Sequence, residues 1–139
     1  ARVQVRLMGP TMHAFDGEGE EAYMEFPDGF KVEFYDSVFN ITSTITADYG
    51  IHYREKGMMK ALRNVVVINY ETSEQLNTEE LIWDRNKKLI FSNKFVKITS
   101  ESGVIYGDGL EAEQDFSKRR IINPYGEIEV EEEGPQGNK

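Results

Sequence analysis

The chain contains no cysteine. That absence removes disulfide bridges, thiolate zinc sites and thiol nucleophiles together, and it leaves the cellular compartment open. Histidine is nearly absent too. His13 and His52 are the only two in 139 residues, too few to converge on a metal without other ligands. Basic charge is short: 16 Lys and Arg face 25 Asp and Glu, a formal net charge of −9. A nucleic-acid binder needs a basic face to displace phosphate counterions, so that class of partner is disfavoured. No apolar run approaches the roughly 18 residues that a membrane-spanning helix requires. No signal peptide is evident, and Arg2-Val3-Gln4-Val5-Arg6-Leu7 already alternates like a strand. A chain opening in this way reads as a mature form or a fragment.

Catalytic patterns are missing as well. There is no G-x-S-x-G elbow, and a glycosidase carboxylate pair would have to sit in a cleft whose predicted lining is apolar. No enzyme, metal or cofactor is expected. The acidic stretch Asp16-Gly17-Glu18-Gly19-Glu20-Glu21 lacks the spacing of a calcium loop and reads as a solvated loop. The short basic runs Arg85-Asn86-Lys87-Lys88 and Ser117-Lys118-Arg119-Arg120 read as solvated turn residues.

What the chain does have is alternation. Val3, Val5 and Leu7 share a face, as do Phe30, Val32 and Phe34, and Ile41, Ser43, Ile45 and Ala47 alternate with threonines. This period of two predicts an all-β protein of roughly ten to fourteen short strands. Only Gly19 to Met24 and Ser73 to Leu76 could form a short helical turn. Pro27-Asp28-Gly29, Arg85-Asn86-Lys87, Ser102-Gly103 and Pro124-Tyr125-Gly126 carry turn chemistry. No linker divides the chain. One domain over residues 1–130 is expected, followed by an acidic, Gly- and Pro-containing tail, 131–139, expected to be disordered.

Apolar residues also recur at longer range. Ile51, Tyr53, Met59, Ala61, Val66 and Ile68 match Leu81, Trp83, Leu89, Phe91, Val96 and Ile98 at a spacing of 30. A third copy runs through Leu110, Ala112, Ile121, Asn123, Ile128 and Val130, with an insertion near Gln114-Asp115-Phe116. Stacked supersecondary units that share one interior produce such a pattern. Lys97 and Glu129 interrupt the apolar columns and want water, which turns their neighbours inward. By the same logic Tyr53, Trp83 and Ala112 point in, while His52, Ile82 and Glu111 point out. The inward set is Phe34, Ile45, Tyr53, Met59, Val66, Ile68, Trp83, Phe91, Val96 and Ile98. Those residues line either an apolar groove or an ordinary closed core.

Several ordered segments carry a resemblance. They are Val32-Glu33-Phe34-Tyr35-Asp36, Thr44-Ile45-Thr46-Ala47-Asp48-Tyr49, Asn77-Thr78-Glu79-Glu80-Leu81-Ile82-Trp83-Asp84, Lys87-Lys88-Leu89-Ile90-Phe91-Ser92, Val96-Lys97-Ile98-Thr99, Tyr106-Gly107-Asp108-Gly109-Leu110-Glu111-Ala112 and Ile122-Asn123-Pro124-Tyr125-Gly126-Glu127-Ile128. In this order they resemble the LptC family of the lipopolysaccharide (LPS) export machinery of Gram-negative bacteria, within the OstA-like superfamily, over about residues 2–130. The resemblance implies one half-open, twisted antiparallel β-jelly roll, folded like a taco shell. It implies a periplasmic domain tethered to the inner membrane by an N-terminal helix that these residues lack. It also implies that the domain receives LPS from an inner-membrane ABC extractor and passes it to a soluble, LptA-like bridge protein by edge-strand pairing. The ten inward residues would then hold acyl chains. Two rivals stand beside this expectation: a soluble bridge protein of the same fold, and a lipid-free β-repeat scaffold.

Overall fold

The structure is a computed structural model that describes residues 4–16, 22–114, 116 and 118–131. Among them lie fourteen strands and no helix. The strands are β1 (Gln4–Met8), β2 (His13–Phe15), β3 (Tyr23–Phe26), β4 (Phe30–Tyr35), β5 (Ile41–Ala47), β6 (Tyr49–Tyr53) and β7 (Met58–Asn69). They continue with β8 (Glu74–Asp84), β9 (Leu89–Ser92), β10 (Val96–Ser100), β11 (Gly103–Gly107), β12 (Gly109–Glu113), β13 (Arg119–Ile122) and β14 (Tyr125–Ile128). All pair antiparallel in one sheet. The two positions that allowed a helical turn are extended instead. Tyr23 and Met24 belong to β3, and Glu74 to Leu76 open β8, while residues 19–21 lie outside the described part.

The long strands β7 and β8 explain the shape. The first half of β7 pairs with β6 and its second half with β5; β8 likewise divides between β10 and β9. The sheet therefore folds along a crease into two layers that share β7 and β8. One layer runs β1-β4-β5-β7-β8-β10-β11-β14, and the other β2-β3-β6-β7-β8-β9-β12-β13. At the crease β7 bulges. Arg63 and Asn64 have φ of 65° and 54°, and the register with β8 shifts there, as a bulge does when it bends a strand. Gly50 sits at this bend because nothing larger fits. A Cβ at that position would stand 2.2 Å from the Phe30 ring.

At the open side the hairpins turn on Asx residues. The Oδ1 of Asp36 accepts from the Val38 and Asn40 amides, that of Asn69 from Glu71 and Thr72, and that of Asp84 from Asn86 and Lys87. These side chains stand in for the backbone acceptor that a tight turn lacks. They stop β4, β7 and β8. The core lies between the layers and includes Phe26, Phe30, Val32, Phe34, Ile45, Val65, Val67, Leu76, Leu81, Trp83, Ile90, Val96, Ile98 and Leu110.

Strand register corrects the inward set at four positions. His52, Met59, Trp83, Ile90 and Ala112 stand side by side on the inner face of one layer. Val32, Ile45, Val67, Leu76 and Ile98 do so in the other. The inner neighbours of Trp83 and Val96 thus include His52 and Val65, each one residue before the Tyr53 and Val66 that a spacing of 30 selects. Tyr53, Val66, Ile68 and Phe91 consequently lie on the outer face, half-buried, with His52, Val65, Val67 and Ile90 inside. In a strand, one residue of error exchanges the two faces. Ile82 is on the outer face as expected, but its neighbours bury it to 8% exposure.

Candidate functional site: the interior between the layers

The other six predicted inward residues, Phe34, Ile45, Met59, Trp83, Val96 and Ile98, are brought together in the buried core. Their packing sets the geometry of the interior. The Phe34 ring, from one layer, meets the Trp83 ring, from the other, with centroids 5.2 Å apart. Two voids lie in this interior. Toward β1, a cavity of about 210 Å³ is lined by Val5, Leu7, His52, Met59, Trp83 and Arg85. Toward β14, a cavity of about 30 Å³ lies among Val67, Leu76, Ile98, Leu110, Ala112 and Phe116. Drug-sized ligands occupy roughly 300–1,000 Å³. The smaller void has room for only about one water molecule, so the layers must part there before a long apolar chain can lie between them.

The β12–β13 hairpin holds the layers together at the rim. The Trp83 indole donates to the Gln114 side-chain oxygen at 3.2 Å, which satisfies the one polar atom of a buried ring. Phe116, on the same hairpin, reaches across to meet Phe34 edge-on at 6.2 Å. Arg119 opens β13 on the inner face and makes a two-pronged ion pair with Glu74, at the start of β8 in the opposite layer. The second prong is 2.9 Å. Hydrogen bonding to Arg119 holds the Glu74 carboxyl below the usual carboxylate range, and the guanidinium is pushed up in turn. Sequence reasoning treated Arg119 as a solvated turn residue. The signal that could have identified it is its place beside Ile121, two residues on along the same strand face.

His52 is the second residue that sequence reasoning misplaced. It is 9% exposed, and neither ring nitrogen has a partner among the described residues. Burial pushes its pKa down, with Arg85 and Arg54 adding to the effect. The imidazole is therefore neutral near pH 7 and acts as part of an apolar wall. His13, by contrast, is exposed and lies 3.6 Å from Glu25. The acidic stretch that invited a calcium reading falls mostly on residues 17–21, outside the described part.

Edges complete the site. Among the described residues β1 and β14 each pair on one side only, as do β2 and β13, so both ends of the folded sheet present free backbone groups. No helix among the described residues is long and apolar enough to cross a membrane. A search of curated proteins found no match to this chain. A family model described as lipopolysaccharide-assembly, LptC-related, matches residues 4–123, which covers thirteen of the fourteen strands, and the chain belongs to that family.

Proposed function

We propose that the space between the two layers receives the acyl chains of LPS and conducts them from the β1 end to the β14 end. Membership of the family assigns the chain a part in LPS assembly or transport. The observation that carries the finer reading is the apolar inner column Leu7, Val32, Ile45, Val67, Leu76, Ile98 and Ile105, which runs across one layer from the edge strand β1 to β11 and ends at Gly126 of β14. Burying an acyl chain of about twelve methylenes yields ~10 kcal/mol at ~0.8 kcal/mol each. That is comparable with the ~4–15 kcal/mol cost of immobilising a ligand. Binding is then favourable yet reversible, as a carrier requires. The net charge of −9 does not oppose it. Like charges about 8 Å apart in water repel by only ~0.5 kcal/mol before screening.

Edge geometry supports a hand-over by strand pairing. Each layer has eight strands counting the shared pair, every neighbour antiparallel, so its two terminal strands run in opposite directions. Another folded sheet of the same build, laid end to end, would continue both layers antiparallel at once. In this reading the domain works in the periplasm beside the inner membrane. An ABC extractor supplies LPS at one edge, and a soluble LptA-like bridge protein accepts it at the other.

The test is a photo-crosslinking residue at Ile98, with Lys97 as the outward neighbour, in Gram-negative cells. LPS captured at Ile98 and not at Lys97 supports the interior path. The packed void beside Ile98 favours one rival, a lipid-free scaffold. Protein partners captured at β14 without LPS at Ile98 would establish that rival instead.

A further inference from the structure

The rim pair has features that closing two layers does not require. Arg119 lies directly over the apolar cavity of Val67, Leu76, Ile98, Leu110 and Ala112, and its own side chain is among that cavity's walls. It keeps 34% side-chain exposure, against 19% for Glu74, so the guanidinium is reachable from solvent at the mouth. Of its neighbours along the chain, Arg120 turns to the outer face, where it lies 3.8 Å from Glu111, so Arg119 is the cation of this strand on the inner face. The planar guanidinium fork binds carboxylates and phosphates in the same two-pronged way. An acyl chain placed in the cavity beneath would carry its polar end to this point.

We propose that Arg119 docks the phosphate head of an acylated amphiphile, and that Glu74 occupies the head group's place until the amphiphile displaces it. This assignment rests on the acyl-groove reading above. The exchange keeps the guanidinium doubly bonded and leaves the displaced Glu74 carboxylate to the Thr72 hydroxyl and to solvent. It also unlinks β8 from β13, which releases the hairpin carrying Gln114 and Phe116 and lets the layers part. Head-group recognition and widening of the groove become one event. The depressed acidity range of Glu74 fits a carboxylate held in this way by a cation.

The experiment compares lipid A with the same lipid stripped of its phosphates, using capture at an Ile98 photo-crosslinker in purified protein. Variants are Glu74→Gln, Arg119→Gln and Arg119→Lys, each checked for folding by circular dichroism. Glu74→Gln should raise capture of lipid A about tenfold more than capture of the dephosphorylated lipid, which gains only from the loosened rim; the tenfold is the scale of one competing charge-assisted hydrogen bond. Arg119→Gln should erase the preference for the phosphorylated form. Arg119→Lys should restore part of it, because a point charge replaces a fork. Equal effects on both lipids would reduce the pair to a clasp and overturn the proposal. So would inorganic phosphate alone protecting Arg119 as well as lipid A does, since the site would then read a free anion. Loss of the groove reading looks different: neither lipid would be captured by the unaltered protein.

Discussion

Val67 and Ile68 are adjacent and nearly alike in chemistry, yet the register sends them to opposite faces. Val67 is 2% exposed beside Ile45 and Leu76, whereas Ile68 lies between Thr44 and Gln75 on the outer face. An aspartate at each position separates the two environments. Val67→Asp forfeits ~1.5–3 kcal/mol of apolar burial and adds ~1–3 kcal/mol for a polar group without partners. The sum, ~2.5–6 kcal/mol, is a large part of the ~5–15 kcal/mol by which domains are stable. Ile68→Asp loses about half an isoleucine's burial and some strand preference, ~1–2 kcal/mol. Urea unfolding followed by circular dichroism measures both. The pH dependence adds a second signature. Burial raises the folded-state pKa of the new carboxyl at 67, so its cost is full above that pKa and eases as the group protonates. The difference from the unaltered protein should thus shrink at about pH 4.5 for Val67→Asp and barely change for Ile68→Asp. If Val67→Asp does not fold, Val67→Thr places a hydroxyl at the same point, at ~1–3 kcal/mol. An equal or larger loss at Ile68 would refute the register and with it the shape of the groove.

Three further outcomes are expected. Phe34→Ala removes the ring that meets Trp83 and Phe116 across the layers; it should cost ~3–5 kcal/mol in urea unfolding and increase capture of LPS at an Ile98 crosslinker, and a loss of capture would count against a constriction there. Gly50→Ala drives a methyl into the Phe30 ring and should lower the thermal midpoint by far more than the usual Gly-to-Ala change in a strand; a stabilised variant would place the crease elsewhere. His52 has a folded-state pKa below its ordinary 6.5, so the unfolded chain takes up the proton first. Its contribution is complete above pH 6.5 and is lost as pH falls through that range, before Glu33, Asp36 and Glu74 protonate below their ordinary values of 4.5, 3.8 and 4.5. Thermal midpoints of the unaltered protein should fall from about pH 7 to 5.5, and those of His52→Leu should stay flatter; parallel slopes would mean the imidazole is not buried.

The interior was only partly legible from residues. Lys97 marks the outer face between Val96 and Ile98, and Glu111 does so beside Ala112, the repeat partner of Trp83; the structure buries Trp83, Val96, Ile98 and Ala112. Val66 and Ile68 were assigned inward by matching them to Val96 and Ile98. The segment Val65-Val66-Val67-Ile68 is apolar on both faces, so no polar residue fixes the phase of its alternation. Tyr53 and His52 exchanged places for a related reason. The 30-residue match sets Tyr53 beside Trp83, but the pairing of β6 with β7 and of β7 with β8 sets His52 opposite Met59 and in line with Trp83. The Glu74–Arg119 pair was invisible, because it joins residues from opposite layers that only the folded sheet brings together.

The sequence by itself determined an all-β chain, most of its turns and its family resemblance, although Tyr125 and Gly126, which carry turn chemistry, open β14 instead. These follow from local alternation, from Asx, Gly and Pro chemistry, and from the order of segments along the chain. Tertiary structure decided which of two neighbouring residues faces inward, how tightly the interior is packed and which charges meet at its rim. The reason is physical: a period of two specifies that faces alternate, while hydrogen-bond register between strands specifies which face is which.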